Sequence, residues 1–80
     1  MATEYEILNT VANGGLSRKR GRDADFDAVL PEFLRCEDSG YLAGADIRHE
    51  SQTGQRLVDF IAAHRLTASG ERRLNELKNV

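Results

Sequence analysis

The chain has one cysteine, one proline, no excess of positive charge and no long apolar run, and each scarcity removes a class of protein. Cys36 alone cannot close an internal disulfide, so a disulfide-stapled secreted scaffold is excluded. The N-terminal residues do not form the charged, apolar, small-residue series of a signal peptide, and a reducing cytoplasm is the expected setting. No run approaches the roughly 20 apolar residues that a membrane-spanning helix needs. The formal net charge of -2 and pI of about 5.6 exclude a protein that coats nucleic acid by overall charge, so any nucleic-acid site must be a local patch.

What is present suits one small globular domain over residues 1–80. Hydrophobic residues make up 40% of the 80 and charged residues 30%, enough for a single modest core. A chain of this size buries only roughly 60% of its unfolded surface, so a second copy or a partner would add useful burial.

Thr3 and Glu6 have the spacing of a capping box, and Asn13-Gly14-Gly15 is a stop signal. Between them Tyr5, Leu8 and Ala12, flanked by Ile7 and Val11, give a first helix with one apolar face. Leu16 to Asp23 reads as a polar connecting loop, and it holds the only dense cationic run, Ser17-Arg18-Lys19-Arg20-Gly21-Arg22. Phe26, Val29, Leu30, Phe33 and Leu34 then recur at helical spacing, with Asp23 or Asp25 available as N-cap. Pro31 leaves two versions open: one kinked helix from Ala24 to about Asp38, or a short helix ending near Leu30 and a second beginning at Pro31. Ser39-Gly40 ends either version.

From Tyr41 to His49, Ala43, Ala45 and Ile47 alternate with Gly44, Asp46 and Arg48, the period of a half-buried strand. Glu50 to Gln55 reads as a polar hairpin tip. Arg56 to Leu66 suits a return strand by its β-branched and aromatic content, although Leu57, Ile61 and His64 also fit a helix; a partner for the preceding strand favours the strand. Thr67 caps a final amphipathic helix over about Ala68 to Lys78. The class is therefore α+β.

Two motifs carry a family resemblance. Leu34 to Leu42 ends a helix in Ser-Gly-Tyr-Leu, and Arg65-Leu66-Thr67-Ala68-Ser69-Gly70-Glu71-Arg72-Arg73-Leu74 steps from a strand into the last helix. Together they resemble the small bacterial and phage winged-helix domains, in pattern over roughly the C-terminal 55 residues. The second motif also has a physical reading: the Leu plugs the core at the strand end, the Thr caps the helix, and the Gly lets the first helical turn approach the sheet. The resemblance implies a compact winged-helix-like domain of three or four helices, with a β-hairpin wing in the C-terminal half followed by a last helix. It further implies a small cytoplasmic, bacterial or prophage-borne protein that is DNA-binding or transcription-regulatory, with double-stranded DNA as the partner; no cofactor is expected. The chain departs from the family between its first two helices, because Leu16 to Asp23 is too short to hold both the first helix of a helix-turn-helix and its turn. If Pro31 opens a separate recognition helix the full motif fits; otherwise the domain is a reduced winged helix.

On this reading the nucleic-acid-binding residues are Arg18, Lys19, Arg20 and Arg22 of the basic run, Arg35 of the presumed recognition helix, and Arg48 and Arg56 of the wing, each neutralising a phosphate. The plain alternative for the run is a solvated loop, and for the wing tip, with His49, Gln52, Thr53 and Gln55, a merely polar hairpin end. The second helix argues against groove reading, because Asp23, Asp25, Asp27, Glu32, Glu37 and Asp38 outnumber Arg35. The rival is a protein-interaction module of the same fold that binds a partner or a second copy. Cys36 reads as a small core residue with no base placed beside it, His49 and His64 lack a companion at metal-ligand spacing, and Glu37-Asp38 diverge on a helix. No phosphate-cradling glycine loop is present, so neither metal nor enzyme chemistry is expected.

Overall fold

The computed structural model describes residues 3–52 and 55–79, with the side chains of residues 51, 52, 55 and 56 outside the description. The described residues form helix α1 (Glu4–Ala12), strand β1 (Leu16–Lys19), helix α2 (Phe26–Asp38), strands β2 (Leu42–Ala43), β3 (Asp46–Gln52), β4 (Gln55–Ala63) and β5 (Arg65–Leu66), and helix α3 (Ala68–Lys78). The α+β class expected from the periodicities is thus observed, with three α-helices and small antiparallel sheets among the described residues.

Both threonine caps act locally as expected, although the reciprocal Glu6 bond of a capping box is not made among the described residues. Thr3 Oγ accepts from the Glu6 N–H at 3.2 Å, and Thr67 Oγ accepts from the Gly70 N–H at 3.0 Å. The Thr67 hydroxyl also donates to the Gly40 carbonyl at 2.6 Å, tying the start of α3 to the end of α2. There Gly40 has φ 77°, and its N–H reaches the Glu37 carbonyl while the Tyr41 N–H reaches the Cys36 carbonyl, both at 3.0 Å. That pair of bonds is a Schellman stop, and its left-handed position favours glycine. A Cβ on Gly70 would overlap the Tyr41 carbonyl oxygen, which explains glycine within the first turn of α3.

Of the two versions of the second helix, the structure has one: α2 runs unbroken through Pro31. Pro31 and Asp27 are both exposed, so water can satisfy the Asp27 carbonyl that the missing proline N–H leaves free. Asp25 is the N-cap residue, but neither it nor Asp23 caps α2 through its side chain. Asp25 holds Arg18 instead, and Asp23 accepts from the Lys19 N–H at 2.8 Å.

Three expectations need correction. Leu16 to Asp23 is not a loop throughout: its first four residues form β1, paired antiparallel with β4 through Leu16↔Ala63, Ser17↔Ala62, Arg18↔Ile61 and Lys19↔Phe60. The strand over Tyr41 to His49 is broken at Gly44, whose φ of 65° turns the chain between β2 and β3, and the return strand is broken at His64. The long hairpin is consequently two ladders, a short β2·β5 pair beside the helices and a longer β3·β4 pair beyond it. Finally, Glu50 to Gln52 and Gln55 belong to the strands, while Thr53 and Gly54 of the expected tip lie outside the described residues.

The sheet has the order β1-β4-β3. Between Arg48 and His49 the register slips, with Arg48 opposite Phe60 and His49 opposite Val58, so Asp59 is the extra residue of a bulge on β4. One face of the sheet carries Leu16, Ile61 and Ala63, which join Ile7, Leu8, Val11, Phe26, Val29, Phe33, Cys36, Leu42 and Leu74 in the buried core. The helices pack on that face. The principal extents are 45 × 22 × 19 Å.

Candidate nucleic-acid interface

The basic run lies on β1 and the turn after it, and a strand sends alternate side chains to opposite faces. Arg18 stands opposite Ile61 on the helix side, whereas Ser17 and Lys19 stand opposite Ala62 and Phe60 on the other side. Arg20, continuing the alternation, returns to the helix side. The run that looks like one patch in sequence is divided between two surfaces.

On the helix side each arginine has a carboxylate. Arg18 Nε donates to both oxygens of Asp25, at 3.0 and 3.2 Å, and an Arg18 terminal nitrogen donates to the Ser17 carbonyl at 2.9 Å. Arg20 pairs with Asp27 at 3.2 Å, donates to the Val58 carbonyl at 3.1 and 3.2 Å, and lies 4.7 Å over the Phe26 ring. Its own N–H donates to the bulged Asp59 carbonyl at 2.8 Å. These arginines fasten β1 and the bulge to the N-terminal turns of α2, and the adjacent aspartates cancel most of the field a phosphate would feel.

The opposite face is covered by no helix among the described residues. Across its three strands runs the row Lys19, Phe60, Arg48, each partner set side by side by the register. Arg48 lies 5.3 Å over the Phe60 ring and pairs with Asp46 at 3.1 Å. Lys19 is exposed, and its side chain makes no ion pair among the described residues. Arg22 reaches the rim of this face, donating to Ser17 Oγ at 3.4 Å and to Asp23 at 2.9 Å. The Lys19 amide, and behind it Arg22, hold the Asp23 carboxyl below its usual pKa, so it is charged at neutral pH.

Of the sequence-expected residues, then, Lys19, Arg22 and Arg48 come together on the uncovered face, and Arg18 and Arg20 do not join them. Arg35 stands apart on α2, 3.6 Å from Glu32. The side chain of Arg56 lies outside the described residues. Phe60 is the member of the row that the sequence reading missed. Its aromatic character was visible, but only the register with Lys19 and Arg48 gives it a place.

Acidic residues dominate the exposed side of α2, with Asp27, Glu37 and Asp38 exposed and Glu32 partly so. Cys36 is buried in the core, and loss of hydration, reinforced by Glu4 and Glu32, pushes its thiol up to about 11. Among the described residues no three His, Cys, Asp or Glu side chains are grouped to hold a metal, and no helix is long and apolar enough to cross a membrane. A groove of about 150 Å³ lies between α1, β1 and α2, bordered by Glu6, Thr10, Arg18 and Asp25 over a floor that includes Leu16 and Val29.

No family model, curated protein or solved structure matches the chain.

Proposed function

We propose that the chain is a reduced winged-helix domain of a small regulatory protein, and that it holds a nucleic-acid backbone on the outer face of its sheet and along the hairpin. The element order, with a hairpin and a capped last helix behind a single middle helix, supports the reduced form of the resemblance. Groove reading by α2 is not part of the proposal, because the helix carries four carboxylates against one arginine and would be repelled by phosphates. The observation that carries the reading is the gathering of Lys19, Arg22 and Arg48 on the one sheet face that no described helix covers. Cations so placed position a backbone and are sequence-tolerant.

The test is titration of random duplex DNA by fluorescence anisotropy at low and moderate salt, with the wild type and with Lys19, Arg22 and Arg48 all changed to Ser. Binding should weaken with salt, and the triple variant should bind more weakly with a shallower salt slope, by roughly 0.9 for each phosphate that is no longer neutralised. An absence of binding at low salt contradicts the reading.

A second reading, a protein-interaction module of the same fold, is favoured by the pairing of Arg18, Arg20 and Arg22 with Asp25, Asp27 and Asp23. It also gains from Leu57, which is 42% exposed beside Glu50 and Asp59. A dimer by light scattering, together with no DNA binding, would select it.

A further inference from the structure

We infer that the Lys19–Phe60–Arg48 row is a stacking platform for unpaired bases, so that the nucleic acid this face prefers is single-stranded. The inference rests on the nucleic-acid reading above and names the class of substrate for the same face. Cations alone would hold a duplex or a single strand by phosphate charge, without regard to pairing. An aromatic ring between two cations adds a feature that only an unstacked base can use, since in a duplex the base faces are occupied by their neighbours.

The geometry fits that use. Phe60 is partly exposed at the centre of a three-stranded sheet, flanked by Lys19 on β1 and Arg48 on β3. Two strand spacings, roughly 10 Å, separate the flanking residues, which leaves room for one base over the ring with a cation on each side. The ring face is at present occupied by the Arg48 guanidinium at 5.3 Å. A flat cation on a partly exposed aromatic face marks where a base can lie, because guanidinium and base use the same π surface. When a base takes that place, the Arg48 side chain, 71% exposed, is free to turn to the adjoining phosphate. Asp46, paired with Arg48, and Asp23, paired with Arg22, are the carboxylates nearest these cations and limit affinity. The cations complement a polyanion. The ring between them is what separates a strand with unstacked bases from an acidic protein surface, which would match the charge but has no base to lay on Phe60.

The experiment compares a fluorescein-labelled oligothymidine with a duplex of equal length by anisotropy, for wild type, Phe60→Ala, Phe60→Tyr and the Lys19→Ser/Arg48→Ser double variant, with folding checked by circular dichroism. The expected result is tighter binding of the single strand, a loss of about tenfold for Phe60→Ala on the single strand only, and retention in Phe60→Tyr, which keeps the ring should the alanine variant be poorly folded. The double variant should lose affinity for both probes. Equal or weaker binding of the single strand, or indifference to Phe60→Ala in a folded protein, overturns the stacking platform while leaving the backbone-binding reading in place. No binding of either probe at low salt overturns both.

Discussion

Arg18 and Lys19 are neighbours, carry the same charge and lie in the same four-residue strand, yet they have opposite fates. Arg18 is held to Asp25 on the helix side, while Lys19 faces outward in a row with Phe60 and Arg48. The same division separates Ile61, fully buried, from its neighbour Phe60. The difference teaches that the charge of a run says little until its backbone period is known. Alternation converts one apparent patch of four cations into two structural arginines on one side and a cationic rim on the other.

The sharpest way to break the comparison is to truncate the neighbours Ile61 and Phe60 in turn. Ile61→Ala opens a cavity in a closed core and should lower unfolding free energy by about 2–5 kcal/mol, whereas Phe60→Ala, on the open face, should cost about 1 kcal/mol, in the range of an exposed cation–aromatic contact. Urea denaturation measures both, and equal losses would place Phe60 in the core. The next largest effect is expected at the joint between α2 and α3. Thr67→Ala removes the cap of α3 and the bond to the Gly40 carbonyl together, and should cost about 1–2 kcal/mol. A loss no greater than a few tenths would show that the joint is held by packing alone.

Smaller effects should separate the cations themselves. A double-mutant cycle of Arg18→Ser with Asp25→Asn should give a coupling of up to about 1 kcal/mol, since the pair is half in solvent. Lys19→Ser should leave stability unchanged. Coupling between Lys19 and any carboxylate would contradict the outward placement of Lys19.

The pH profile supplies two further contrasts. Asp23 has a lowered folded pKa, so its contribution is present above the unfolded carboxylate value and is lost as pH falls through the folded one; Asp23→Asn should flatten the acid limb of stability. Cys36 has a thiol raised to about 11, so the unfolded chain ionises first. Stability from this group is complete below roughly pH 8.5, the ordinary thiol value, and falls as pH rises towards 11. Cys36→Ala should remove that alkaline slope in thermal melts.

The elements that could be read directly were those whose signals are local. The Thr3 and Thr67 caps, the Gly40 stop and the Gly70 contact depend on residues within a turn or two, and each acts as its residue type requires. β1 was illegible because beyond Leu16 its helix-side position carries Arg18, followed by Arg20 in the turn, and both charges meet aspartates. A strand with an arginine at its second inward position has no apolar alternation to detect. The break at His64 likewise carries no propensity signal, since it comes from the change of partner between β4 and β5. For the candidate site, Arg48 and Lys19 were identifiable as cations, but they meet across Phe60 only through a register between strands distant in sequence, and no local pattern encodes it.

If the outer sheet face, and not α2, meets nucleic acid, amide chemical shifts during titration with oligothymidine and with a duplex of equal length test it most directly. Perturbations are predicted to be confined to Ser17–Arg22 and the β3·β4 hairpin, strongest at Lys19, Arg48 and Phe60, with α2 silent. Perturbations centred on Asp27–Asp38, or none at low salt, would contradict it.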